Sequence, residues 1–243
     1  MIKIYIIDDK HSQRTENVDA LVSFFQCVGK TEVISHQPAI NKFIEEITLQ
    51  YRGKLLKRLL SINNSDADIV DRMKLFYRVF FILNRRRHAI NHIVTQKHLS
   101  ALRKFLATES ENALILENDA VLNTDTPDAI IHSLSCGDYV DLAGGYVFDN
   151  AKELLTQSDH NGLIRYPQLK TNTACAYAVN KKFASTILAA YEKDPFSASL
   201  PVDWLYLFLA QNSYLTSGRP LKYPFLHGSF SADSKMQSWQ LDF

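Results

Sequence analysis

Neither sign of charge dominates this chain. Across 243 residues, 27 lysines and arginines face 26 aspartates and glutamates, a formal net charge of +1. So balanced a surface has no bulk positive field with which to hold nucleic acid. Cysteine is scarce too. Cys27, Cys136 and Cys175 form no CxxC pair, and no histidine stands at a zinc-binding spacing from them. An odd, sparse set suits a reducing compartment better than a disulfide framework. Apolar stretches are short, none approaching the roughly 20 residues that cross a bilayer. The opening Met1-Ile2-Lys3-Ile4-Tyr5-Ile6-Ile7 lacks the long apolar region and the small-residue cleavage site of a secretory leader. A cytoplasmic protein is therefore expected. With no repeat and no low-complexity linker, one domain is expected over 1–243.

What the chain does contain is the ordinary material of a globular core, with 46% hydrophobic and 22% charged residues. Ile2–Ile7 is rich in β-branched residues and predicts a first strand. Val18, Leu21, Val22 and Phe25 lie at helical spacing and predict a crossover helix over Ser12–Phe25. Thr31–Ser35 predicts a short second strand. From 39 to about 105 the pattern is mostly helical, with Ile40, Phe43, Ile44 and Ile47 on one stripe and a polar break at Ser61–Asp68. Strands follow at 113–117, at Tyr139–Leu142 before Gly144-Gly145, and over the apolar run Ala174–Val179. Helices follow at Lys181–Tyr191 and Trp204–Leu209. Strands alternating with helices predict an α/β fold with a mostly parallel sheet and a helical insertion at about 40–105.

Residues 113–121, Ala-Leu-Ile-Leu-Glu-Asn-Asp-Ala-Val, carry the strongest chemical signal. A buried strand ends abruptly in Glu117-Asn118-Asp119. Open α/β sheets meet their ligands at the carboxyl ends of strands. Two acids one residue apart could hold a divalent cation there against a diphosphate. The same spacing also fits an acidic loop after a core strand. Residues 54–60 and 76–87 combine apolar stripes with clustered Lys and Arg. They read either as helices with solvated basic edges or as a surface that touches anionic lipid.

Several separated segments converge on one family. Ile4-Tyr5-Ile6-Ile7 with Arg14, Lys97-His98-Leu99 with Leu102, and Ile115-Leu116-Glu117-Asn118-Asp119-Ala120 occur in order. They are followed by Asp141-Leu142, by Thr173 to Val179 with Ala184, by Pro201-Val202-Asp203-Trp204, and by the segment from Pro224 to Ser234. In this order and spacing the chain resembles glycosyltransferase family 25, the bacterial lipopolysaccharide and lipooligosaccharide glycosyltransferases. The likeness covers most of the chain apart from 40–90. Asn118 stands where that family has a central Asp, and Lys97 where it has Ser.

The resemblance implies a GT-A type, Rossmann-like domain that binds a nucleotide sugar. It implies inverting transfer of a hexose, often galactose from UDP-galactose, to a lipopolysaccharide or lipooligosaccharide acceptor. It further implies a cytoplasmic enzyme, at most peripheral to the inner membrane. A departing diphosphate needs its charge neutralised, and Mn²⁺ or Mg²⁺ does so as a Lewis acid. Asp119 is then the leading metal ligand, with Glu117 and His227 beside it, and Glu117 is alternatively a ribose contact. Asp8, Arg14 and His98 are the remaining donor-binding candidates. Asp203 is the candidate base for the acceptor hydroxyl. By themselves these residues have plainer readings: His227 as a loop histidine, Arg14 as an exposed helix residue, His98 as helix packing, Asp203 as a first-turn acid. Two other functions stay open: a nucleotide- or glycan-binding protein without turnover, suggested by Asn118, and a metal-dependent phosphohydrolase.

Overall fold

The computed structural model describes residues 2–8, 15–35, 85–143, 158–159, 162–170, 174–193, 200–210 and 212–228, with side chains from 92 onward in the helix that begins at Arg85. Arg14, Gly144-Gly145 and the basic stretch 54–60 lie outside the described residues. So does 76–87, apart from the backbone of its last residues. The insertion expected over 40–105 is described only from Arg85.

Strand β1 (Ile2–Ile7) leads through helix α1 (Thr15–Phe25) to β2 (Gly29–Ile34). Helix α2 (Arg85–Leu106) precedes β3 (Asn112–Glu117) and β4 (Ala120–Leu122). Helix α3 (Asp128–Ser133), β5 (Tyr139–Asp141), β6 (Leu163–Tyr166) and β7 (Ala176–Asn180) follow. The chain continues through α4 (Lys181–Lys193), α5 (Val202–Leu209), β8 (Ser217–Pro220) and β9 (Phe225–His227).

Seven strands form one sheet in the order β2-β1-β3-β7-β5-β8-β6, and β4 pairs with β9 in a second, two-stranded sheet. The large sheet is mixed, which departs from the mostly parallel arrangement expected. β1 is parallel to β2 and β3, and β5 to β8, but β7 runs antiparallel between β3 and β5, and β6 antiparallel to β8. Apolar periodicity reports burial and says nothing of strand direction, so the sequence could not resolve this.

Alternation along each strand feeds two cores, one on each face of the sheet. Tyr5, Ile7, Ala113, Ile115, Tyr177 and Val179 pack against α2, α4 and α5. Ile4, Ile6, Leu114, Leu116, Ala176 and Ala178 point the other way, toward Val18, Leu21 and Phe25 of α1. In α4, Phe183, Ala184, Ile187 and Leu188 recur at the helical period. That helix starts where Asn180 Oδ1 accepts from the Phe183 N–H at 2.9 Å, a side-chain cap. Among the described residues, no helix is long and apolar enough to cross a membrane.

Candidate metal centre and acidic cleft

The strand order sets the position of the site. β1 has β2 on one side and β3 on the other, so the connections diverge at the β1/β3 boundary. In open α/β sheets a ligand crevice forms outside the carboxyl ends of strands at such a point. Ile7 and Glu117, the last residues of β1 and β3, are register partners. The ladder extends one step further, with the Asn118 N–H donating to Ile7 O at 2.9 Å. Beyond it, Asn118 Nδ2 donates to Asp8 Oδ1 at 3.0 Å. Asn118 thus has a local role. An aspartate there would set two carboxylates against each other, whereas the amide supplies a donor.

The strand ends at Glu117, and the turn at 118–119 separates the two acids of the Glu-Asn-Asp run, which continued alternation would have kept on one face. Glu117 shares a face with Ala113 and Ile115 and turns toward α2. There His98 Nε2 meets Glu117 Oε1 at 3.1 Å, and His98 Nδ1 meets the Tyr177 hydroxyl at 2.8 Å. The Tyr177 hydroxyl in turn lies 2.8 Å from that of Tyr206. A carboxylate only accepts, so His98 Nε2 donates to Glu117, and its Nδ1 joins the ring to the paired Tyr177 and Tyr206 hydroxyls. Burial pushes the Tyr177 and Tyr206 hydroxyls well above the usual phenol range, which keeps them protonated. His98 is fully buried, with both nitrogens engaged. Its contact with the acids at the end of the sheet runs through Glu117. Lys97, also buried, donates to the Asp8 carbonyl and ties α2 to the end of β1.

Asp119 lies in the turn between β3 and β4 and joins a different group. Its Oδ2 lies 3.5 Å from His227 Nδ1, and its Oδ1 accepts from Cys175 Sγ at 3.5 Å. One potential ligand atom from each of Asp119, Cys175 and His227 falls within 4.8 Å of the others. Such a cluster is capable of holding a metal ion. Glu117, expected as a ligand, is not among the three. The antiparallel course of β7 is what brings Cys175 here, because the residue before its first strand position lies beside the last residues of β3. Glu117 N donates to Cys175 O at 2.7 Å. In the small sheet, Ala120 pairs with His227, and Gly228 N donates to Asp119 O at 2.7 Å. A Cβ at Gly228 would come 2.7 Å from that same oxygen, so only glycine fits. Asn17 of α1 steadies the turn by donating to the carbonyls of Asn118 and Ala120, both at 2.9 Å. Burial pushes the Cys175 thiol well above its usual range, with the charges of Asp119 and Glu117 adding to the effect.

Asp203 stands in the first turn of α5 and is partly buried. Desolvation pushes its carboxyl up to about 7; the nearby Glu117 charge adds, and the backbone N–H groups of Trp204 and of Asp203 itself oppose. Asp141, buried at the carboxyl end of β5, accepts from the Ala143 N–H at 3.1 Å. Asp8, Glu117 and Asp119 are therefore gathered at one end of the sheet, with His227 beside Asp119 and Asp203 within range of the Glu117 charge. Sequence reasoning missed Cys175, Asn17 and the Tyr177–Tyr206 pair; it named Glu117 as a metal ligand or a ribose contact, and Glu117 lies outside the three-residue cluster. Cys175 carried one signal, its position at the edge of an apolar run, and that signal is silent on strand direction.

No protein-family model matches the chain, and no curated protein matches it significantly.

Proposed function

We propose that this protein is an inverting, metal-dependent glycosyltransferase of the GT-A type. In this reading it moves a hexose, with galactose the leading choice, from a UDP-sugar to a lipopolysaccharide or lipooligosaccharide acceptor. The observation that carries the reading is the set of acids beyond the carboxyl ends of β1 and β3, with a potential metal cluster on one side and Asp203 on the other. Asp8 and Glu117 suit the ribose hydroxyls of a nucleotide, and His98, with Tyr177 behind it, fixes the Glu117 carboxylate for that contact. A divalent ion at Asp119 and His227, Mn²⁺ or Mg²⁺ in this reading, would supply the positive charge that a departing diphosphate needs.

Asp203 is the group suited to proton transfer, since a carboxyl titrating near 7 can both hold and release a proton at neutral pH. The acceptor hydroxyl gives its proton to Asp203 as its oxygen bonds to the anomeric carbon. The bond from that carbon to the phosphate oxygen breaks on the opposite face. The reaction belongs in the cytoplasm, with at most peripheral contact with the inner membrane. A second reading, a nucleotide- or glycan-binding protein without turnover, draws on Asn118, whose amide is committed to Asp8 where another carboxylate was expected.

A thermal-shift screen of nucleotide sugars, with and without Mn²⁺, tests the proposal, because a bound ligand raises the melting temperature with its concentration and affinity. The expected result is stabilisation by one UDP-sugar that depends on metal and is lost in Asp119→Ala, followed by UDP release with an acceptor. Stabilisation without release supports the binding protein. No shift from any nucleotide sugar, with or without metal, overturns both readings.

A further inference from the structure

Hard-oxygen chemistry does not describe the donor set at the metal cluster. Mg²⁺ takes near-octahedral oxygen ligands, and Mn²⁺ also favours carboxylate, carbonyl and water. Asp119, Cys175 and His227 offer one carboxylate, one sulfur and one imidazole nitrogen. We propose that these three side chains form a zinc-type site in which the Cys175 thiolate is itself a ligand. The site needs only these residues and stands whether or not the transferase reading holds.

Geometry and topology support it independently. A tetrahedral ion with bonds of about 2.0–2.3 Å spaces its ligand atoms about 3.3–3.8 Å apart. Asp119 Oδ2 lies 3.5 Å from His227 Nδ1 and its other oxygen, Oδ1, 3.5 Å from Cys175 Sγ. One ligand atom from each of the three side chains lies within 4.8 Å of the others, so a bound ion draws them in by about 1 Å at most. The ligands are also prearranged through the backbone. Asp119 O accepts from the residue after His227, and Cys175 O accepts from Glu117, two residues before Asp119. Chain segments far apart in sequence are thereby locked with their donor atoms converging, the support a metal site needs from its surroundings. Burial is graded across the cluster: Cys175 is fully enclosed and Asp119 nearly so, while His227 is partly exposed. Entry is therefore from the His227 side. Among the described residues three side chains converge, which leaves a fourth position for water or a ligand, the pattern of catalytic zinc and not of closed structural sites. As the ion enters, the thiol gives its proton to solvent, and the two negative ligands balance the charge of the ion.

The test uses the full chain stripped with chelator, then titrated separately with Zn²⁺, Mn²⁺ and Co²⁺. Zn²⁺ outcompetes Mn²⁺ at most sites, so the deciding readout is sulfur ligation. The expected results are one zinc per chain by elemental analysis and a near-ultraviolet thiolate-to-cobalt charge-transfer band. Cys175→Ala should abolish the band and weaken zinc binding by about tenfold or more, leaving Mn²⁺ binding little changed. Circular dichroism checks the fold, and Cys175→Ser serves if the alanine variant does not fold. Cobalt bound without the band, zinc held as tightly without the sulfur, or no metal bound at all would each overturn the site. A sulfur-ligated zinc with no response to nucleotide sugars would keep the site and sink the transferase. A Mn²⁺-dependent nucleotide response without the band would do the reverse.

Discussion

Asp138 and Asp203 are aspartates withdrawn from water at opposite ends of the sheet, and their surroundings drive them in opposite directions. Asp138 precedes β5, beside a cavity of about 670 Å³ that Asn112, Arg165, Asn180 and Thr216 help to line. Asn112 begins β3 and Glu117 ends it, so this cavity and the acidic cleft are about 17 Å apart along the strand. Burial alone would raise the Asp138 carboxyl. Four hydrogen bonds, from Lys182, from Asn180 and from the Thr216 N–H and hydroxyl, outweigh that and hold it below the usual range. At Asp203 desolvation outweighs the opposing backbone N–H groups of Trp204 and of Asp203 itself, and the charge of Glu117 works against its ionisation. The contrast teaches what each end is built for. A carboxylate ringed by donors fastens β5, β7, α4 and the start of β8 together, while one left near neutrality can exchange a proton with a ligand.

Substituting Asp203 tests the comparison hardest. Under the proposed function, Asp203→Asn lowers the rate of acceptor-dependent UDP release by about 10²–10⁴-fold, the usual worth of a general base. Its effect on stability has the opposite sense. A raised carboxyl favours the protonated fold, so its contribution is complete below the unfolded value of about 4 and is lost as pH rises through about 7. Asp203→Asn should therefore match the wild type in melting temperature near pH 4 and exceed it at pH 8. A variant less stable than wild type at pH 8 would make Asp203 a first-turn cap and erase the contrast with Asp138.

Asp138→Ala is the mirror experiment. Removing the acceptor strands several donors and should cost about 2–3 kcal/mol of unfolding free energy at pH 7, measured by urea titration. A lowered carboxyl contributes stability above its unfolded value of about 4 and loses it as pH falls through the folded one. The gap between variant and wild type should then narrow below pH 4, with metal binding at the other end unchanged. A gap that holds constant with pH would show that the aspartate acts by shape and not by charge.

The smallest effect sharpens the picture within the cleft. Asn118→Asp replaces the donor to Asp8 with a second carboxylate and should cost about 1 kcal/mol at pH 7 in metal-free protein. Thermal melts with and without a saturating divalent ion check it. If added metal reverses the loss, residue 118 lies within reach of the ion; if the loss is absent even without metal, the Asp8–Asn118 bond carries no weight.

Legibility followed the range of the contacts involved. Strands β1 and β3 and helix α4 showed plainly, because their apolar residues recur at the local period of a strand or a helix. β8, Ser217-Gly218-Arg219-Pro220, was missed because Gly and Pro read as a turn, yet pairing with both β5 and β6 makes it a strand. β4 and β9 have three residues each and exist only through each other. Within the site, Asp119 stood out at the end of an apolar strand and His227 only through the family resemblance, and the structure sets them side by side. Glu117 was given either a metal or a ribose role, and the strand's alternation turns it toward His98, away from the three-residue cluster. Chemical type and local period belong to the sequence by itself: an apolar strand running into Glu-Asn-Asp, a late acid before an apolar helix, two cores from alternating faces. The direction of β7 belongs to the tertiary structure. A parallel course would have carried Cys175 to the Asp138 end; the antiparallel course sets it against Asp119, 56 residues away in sequence. Strand direction is decided by which edges can pair across such distances, and no local pattern of side chains encodes it.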